Sequence, residues 1–191
     1  IGNELVERGE SALVTTVYFI TAHFPYYPRE CFIEPEIVFW QEKVEKNPEL
    51  EVILMPLSRG TGEKRKIPNN IILDESLFAL QDEHSRLHKI FRGITNLITG
   101  RMRLSLFRDL VQQKAYTVGA VIRTLKTLSS IASYYDFFEH VLNRNQNRRL
   151  IFYTYWFTPV TYALQLLKKK YKFRLYTRTH RCDLYEEEYP N

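Results

Sequence analysis

Apolar and polar positions divide the chain into short, well-bounded segments. Residues 13–21, Leu-Val-Thr-Thr-Val-Tyr-Phe-Ile-Thr, are β-branched and aromatic and carry no charge. A continuous apolar run of this kind predicts a central strand covered on both faces, as in a parallel sheet. It ends at Phe24-Pro25-Tyr26-Tyr27-Pro28, where two prolines in five residues exclude a helix. Phe32, Ile33, Ile37, Trp40 and Val44 then recur at helical spacing, which predicts an amphipathic helix with Pro35 in its first turn. Asn47-Pro48 closes that helix, and residues 49–57 read as a second strand. A polar loop covers 58–70, and residues 71–73 fit a third, short strand.

From 76 to 142 there is no proline. Leu104, Phe107, Val111, Val118, Ile122, Leu125 and Ser129 follow three- and four-residue steps. They predict a long amphipathic helix with others around it, jointed at Gly93 or Gly100. A polar turn at 143–149 follows, then a strand over 150–155, a helix over 158–171 and a strand over 173–177. The expected fold class is therefore α/β: a Rossmann-like, mostly parallel sheet with flanking helices and a helical block inserted at about 76–145. Such sheets bind ligands beyond the carboxyl ends of their strands. The loops at 22–31, 58–63, 156–159 and 178–186 are thus the candidate functional edge.

Composition narrows the classes. The 191 residues are 45% hydrophobic and 26% charged, a globular balance that argues against disorder or coiled coil. Two cysteines, Cys31 and Cys182, exclude a disulfide-rich scaffold and read as small buried residues. No run approaches the roughly 18–20 apolar residues of a membrane span. With no signal-peptide pattern and no Asn-x-Ser/Thr acceptor, a cytoplasmic protein is expected. The net charge is +5. Its basic residues cluster at 101–126 and 168–181, either as solvated helix faces or as surfaces for an anionic partner.

Several familiar motifs fail. Gly60-Thr61-Gly62 follows a strand, but Arg65 stands where a dinucleotide loop has its third glycine. His84-x-x-x-His88 lacks both the glutamate of a zinc-protease helix and a third ligand. Neither a Gly-x-Ser-x-Gly elbow nor a Walker lysine is present.

Two segments read together carry more. The first loop holds Phe24, Pro25, Glu30, Phe32 and Glu36. The last strands hold Tyr155, Trp156, Arg178, His180, Asp183 and Tyr185. This pattern resembles the N-terminal, acceptor-side domain of family-4-type retaining glycosyltransferases with the GT-B fold, of the bacterial capsular and exopolysaccharide type. The likeness covers residues 13–55 and 148–189, with Arg29 and Arg181 where the family has glycine.

The resemblance implies a transferase that moves a sugar from a nucleotide-sugar donor to a glycan or lipid-linked acceptor, with retention and without metal or other cofactor. The chain has no DxD motif. His180 is the implied catalytic residue, hydrogen-bonding the sugar or acceptor near the reacting carbon; its alternative is a strand-end cap. Phe24, Tyr26, Glu30, Trp156 and Asp183 are the implied acceptor-binding residues, with Arg178 supporting the phosphate charge. Aromatic rings with polar edges suit sugar faces. Glu30 otherwise caps the following helix, and Arg178 otherwise pairs with Glu30 or Glu186. The family's architecture makes the chain an incomplete Rossmann-like domain, without its C-terminal donor-binding domain and inactive alone.

Two readings from other classes stand beside this one. The basic helix at 101–126 could lie on an anionic membrane surface, which also suits a peripheral enzyme at the inner face of the cell membrane. The 168–181 cluster could bind nucleic acid, but no nucleic-acid motif accompanies it, so none is expected as a partner.

Overall fold

The computed structural model describes residues 13–60, 62–82 and 117–179, together with Ile94. Five parallel strands form one sheet: β1 (Thr15–Thr21), β2 (Leu50–Pro56), β3 (Ile72–Leu73), β4 (Arg149–Thr154) and β5 (Arg174–Thr177). Their order is β3-β2-β1-β4-β5, with β1 at the centre. Thr15 faces Leu50 on one side and Arg149 on the other, and the register holds along both pairs. This is the α/β, Rossmann-like parallel sheet that the alternation of elements predicts.

Side chains alternate across β1 and so build two separate cores. Val17 and Phe19 join Val52, Leu54, Ile33 and Ile37 beneath α1 (Glu34–Lys46). Tyr18 and Ile20 join Met55 and Phe152 beneath α2 (Ser76–Asp82), α3 (Val118–Arg144) and α4 (Pro159–Leu167). In-register rings stack across β1 and β4: Tyr18 on Phe152 at 4.9 Å and Phe19 on Tyr153 at 5.0 Å between centroids. Phe19 and Phe152 are fully buried, each contributing about 2–3 kcal/mol from apolar burial.

The helices follow their sequences closely. Pro35 lies in the first turn of α1, and Asn47 ends it with extended backbone. Leu128, Ile131, Ala132, Phe138 and Leu142 form the buried stripe of α3, against Val160, Ala163, Leu164 and Leu167 of α4.

Some positions differ from expectation. Phe32 precedes α1 in a single 3-10 turn (Cys31–Ile33) and is 51% exposed, because the turn rotates it off the core stripe. Cys31 is exposed for the same reason. Val118 opens α3 before the helix reaches the sheet and is exposed. The last helix stops at Leu167, where Lys168, Lys169 and Lys170 turn into solvent. The 104–111 part of the helical stripe, Gly93, Gly100, His84 and His88 lie outside the described residues. Among the described residues no helix is long and apolar enough to cross a membrane.

Candidate functional site

Strand order reverses between β1 and β4: from β1 the chain adds β2 and β3 on one side, then crosses to β4 and β5 on the other. In open α/β sheets the carboxyl ends of two strands at such a reversal are where ligands bind. The loop after β1 (22–30) and the turn after β4 (155–158) stand at those ends.

Glu30 ties these two loops together. It sits in the left-handed region at φ 61°, ψ 30°, and is nearly fully buried. A non-glycine residue there costs about 1–2 kcal/mol. That backbone turns the carboxylate back onto its own loop. One oxygen accepts from the His23 and Phe24 amides at 2.5 and 2.6 Å. The other accepts from the Ala22 amide at 3.2 Å and from the Trp156 indole N–H. Glu30 thus binds the amides of its own loop rather than capping a helix or pairing with Arg178.

The β4 side is fixed by hydroxyls. Thr161 Oγ1 lies 2.9 Å from Thr154 Oγ1 and 3.1 Å from the Trp156 carbonyl, and it accepts from the Thr158 amide at 3.3 Å. Thr154 reaches Thr177 of β5 at 2.9 Å. Trp156 is held half-buried by this network, with its ring edge-on to Phe32 at 6.2 Å and to Tyr155 at 5.9 Å. Phe32 also stacks on Tyr155 at 5.6 Å and leaves its other face open.

Arg178 stands just past β5 with its side chain about half exposed. Its Nη1 donates to Tyr155 Oη at 2.6 Å and lies 3.4 Å from Glu36, while the guanidinium covers the Tyr155 ring at 4.8 Å. Burial works against its charge, but Tyr153, Tyr155 and Glu36 outweigh it and hold the pKa above the ordinary arginine value. Burial, aided by a hydrogen bond to Glu36, pushes Tyr153 up to about 12. The result is a cation anchored on Tyr155, the ring on which Phe32 also stacks.

The remaining expected site residues are placed differently. Phe24 and Tyr26 are buried, so neither offers a face to a ring. Phe24 belongs to the core beneath α1. Tyr26 Oη bonds Glu75, which also pairs with Arg59 at 3.2 Å. Burial and that bond push the Tyr26 pKa up to about 12, while the same bond holds the Glu75 carboxyl below its ordinary value. His180, Asp183, Cys182 and Tyr185 lie outside the described residues.

Two residues escaped the sequence reading. Arg65 is buried beneath the first loop: its Nη1 donates to the carbonyls of Tyr26 and Arg29 at 3.2 and 2.9 Å. It also stacks on the Tyr27 ring at 4.0 Å and lies 2.8 Å from Glu34. Its one legible signal was its place in the failed glycine motif. That segment straps the first loop, through Tyr27 N–H to Glu63 O and Arg65 N–H to Pro25 O, both 2.9 Å. His23 lies two residues beyond β1, and its Nδ1 is buried with no hydrogen-bond partner among the described residues. Its position at the end of the strand next to the prolines was the available clue.

Among the described residues no group of three or more His, Cys, Asp or Glu could hold a metal ion. Comparison with protein-family models, curated proteins and solved structures finds no match to the chain.

Proposed function

We propose that this chain is the acceptor-side domain of a retaining, GT-B-type glycosyltransferase that builds cell-surface polysaccharide at the cytoplasmic face of the membrane. The observation that carries the reading is that, at the edge where strand order reverses, the exposed Phe32 ring, half-buried Trp156 and the anchored Arg178 guanidinium all meet Tyr155. A sugar ring can stack on the first pair, and the cation can neutralise an anionic oxygen beside it. The order of the motif residues along the chain supports it further: Glu30, Glu36, Tyr155, Trp156 and Arg178 all lie at this one edge.

Under this reading His180, two residues beyond Arg178, contacts the sugar or the acceptor hydroxyl, and Asp183 orients it or binds a hydroxyl. Catalysis of this kind is mostly positioning and charge stabilisation. The donor nucleotide is bound mainly by a second domain.

The test uses the full-length enzyme with nucleotide-sugar donors and oligosaccharide or lipid-linked acceptors. His180→Ala should cut transfer severely while circular dichroism and melting stay unchanged. Arg178→Gln should weaken the binding of anionic donor or acceptor more than that of a neutral oligosaccharide. No transfer by the wild-type enzyme, or wild-type turnover by His180→Ala, overturns the reading.

A further inference from the structure

The amides of Ala22, His23 and Phe24 all point at one place, the carboxyl end of the central strand. Three convergent backbone N–H groups form an anion-binding concavity. In open α/β sheets that position beside the reversal of strand order is where a ligand's charged group arrives. Here an anion is already present. Both oxygens of the Glu30 carboxylate are engaged, at 2.5, 2.6 and 3.2 Å from the three amides, and the indole N–H of Trp156 completes the set. The residue is nearly fully buried, and its left-handed backbone is what brings the carboxylate back eight residues to the strand end.

We propose that residues 22–24 form an oxyanion site whose ligand is built into the chain. Glu30 occupies it, so a free carboxylate or phosphate enters only when that side chain is removed. An anionic group on a ligand at this edge is directed instead to Arg178, whose Nη1, among the described residues, meets Tyr155 and Glu36. The inference is independent of sugar transfer, since it concerns which groups satisfy the amides.

Removal of the carboxylate with a backbone suited to this conformation provides the test. Glycine adopts φ 61° without strain, so Glu30→Gly deletes the anion while relieving the turn. The full chain is melted in chloride buffer, then with sodium acetate or inorganic phosphate at matched ionic strength. Glu30→Gly should melt lower than the wild type in chloride and regain several degrees saturably with acetate, phosphate or both. Acetate alone marks a site sized for a carboxylate, and phosphate as well marks a wider one. The wild type should not respond. Equal melting of the two proteins in chloride overturns the proposal. So does recovery no greater than chloride gives, or an equal saturable response by the wild type.

Should Glu30→Gly not fold, Glu30→Gln keeps the volume and removes the charge. The amide proton resonances of Ala22, His23 and Phe24 should then move upfield together relative to wild type, as a charged acceptor becomes neutral. Unchanged resonances overturn the proposal.

Discussion

Replacing Arg65 by methionine separates two explanations for the rigidity of the first loop. Arg65 touches that loop through hydrogen bonds to the Tyr26 and Arg29 carbonyls and through Glu34. The arginine side chain is only 6% exposed, whereas Glu34 is 55% exposed. A hydrogen bond from a charged donor contributes about 1.5–3 kcal/mol, and loss of the donor leaves two carbonyls without a partner. An ion pair with one exposed member contributes about 0–1 kcal/mol. Stacking on Tyr27 adds roughly 0.5–1 kcal/mol. Methionine keeps much of the packing but donates nothing, so Arg65→Met should cost about 3–4 kcal/mol in all. At about 2–4 °C per kcal/mol for a chain of this size, Tm should fall by roughly 10 °C. Glu34→Gln should cost less than about 1 kcal/mol, and Arg65→Lys should fall between, since one ammonium does not reproduce the planar fork. Urea and thermal denaturation followed by circular dichroism measure all three, and limited proteolysis should cut the 22–30 loop first in Arg65→Met. If Glu34→Gln costs as much as Arg65→Met, the ion pair and not the carbonyl capping holds the loop, and the reasoning fails.

Gly60 has φ 54°, and a Cβ there would lie 2.7 Å from the Tyr27 carbonyl oxygen. Gly60→Ala should therefore lose about 2 kcal/mol in urea unfolding at constant m; wild-type stability would show that Gly60 is not packed against the Tyr27 carbonyl. Tyr26 and Tyr153 have pKa values raised from 10.0 to about 12, chiefly by burial and then by Glu75 and Glu36. The fold favours their neutral form, so this stabilisation is complete below pH 10 and disappears as pH rises through about 12. In an ultraviolet titration, Tyr26→Phe and Tyr153→Phe should each remove amplitude from the late part of the tyrosinate curve. Loss from the early part instead would contradict the assignment.

β1, β2 and β4 were legible because each is built around a compact apolar run, and β3 and β5, shorter and more exposed, were read from the brief apolar stretches at 71–73 and 173–177; the helices carry an apolar stripe or a breaker at an end. Pro35, Asn47 and Pro159 act where their backbone chemistry says they must. Faces near element ends were less legible. Phe32 has the spacing of a core residue, but spacing cannot reveal that the first turn is a 3-10 turn, which rotates Phe32 outward. Roles set by tertiary contact were not legible either. Beyond its place in the failed glycine motif, nothing local marks Arg65 as buried beside exposed Lys64 and Lys66, because its burial depends on contacts with Tyr26 and Arg29, far away in sequence. Tyr26 and Tyr27 are adjacent and chemically alike, yet one is buried against Glu75 and the other is 39% exposed.

These placements bear on how a ligand could be held at this edge. Most polar groups of the loop after β1 are already engaged: the Ala22, His23 and Phe24 amides by Glu30, the Tyr26 and Arg29 carbonyls by Arg65, and the Tyr26 hydroxyl by Glu75, with the buried His23 Nδ1 the exception. Glu30 also fastens it to the turn after β4 through Trp156. Groups already paired with one another add no net attraction for a ligand, because binding would first have to break those contacts. What they contribute is a fixed floor, which lowers the ordering cost of binding. Attraction must then come from the groups that remain open on the wall, the Phe32 face and the outer edge of Arg178. Both depend on Tyr155, which stacks under Phe32 and anchors Arg178 through its hydroxyl. Phenylalanine at that position keeps the stack and removes the hydroxyl anchor, so the guanidinium would be held by Glu36 and the ring face alone while the aromatic platform stays in place.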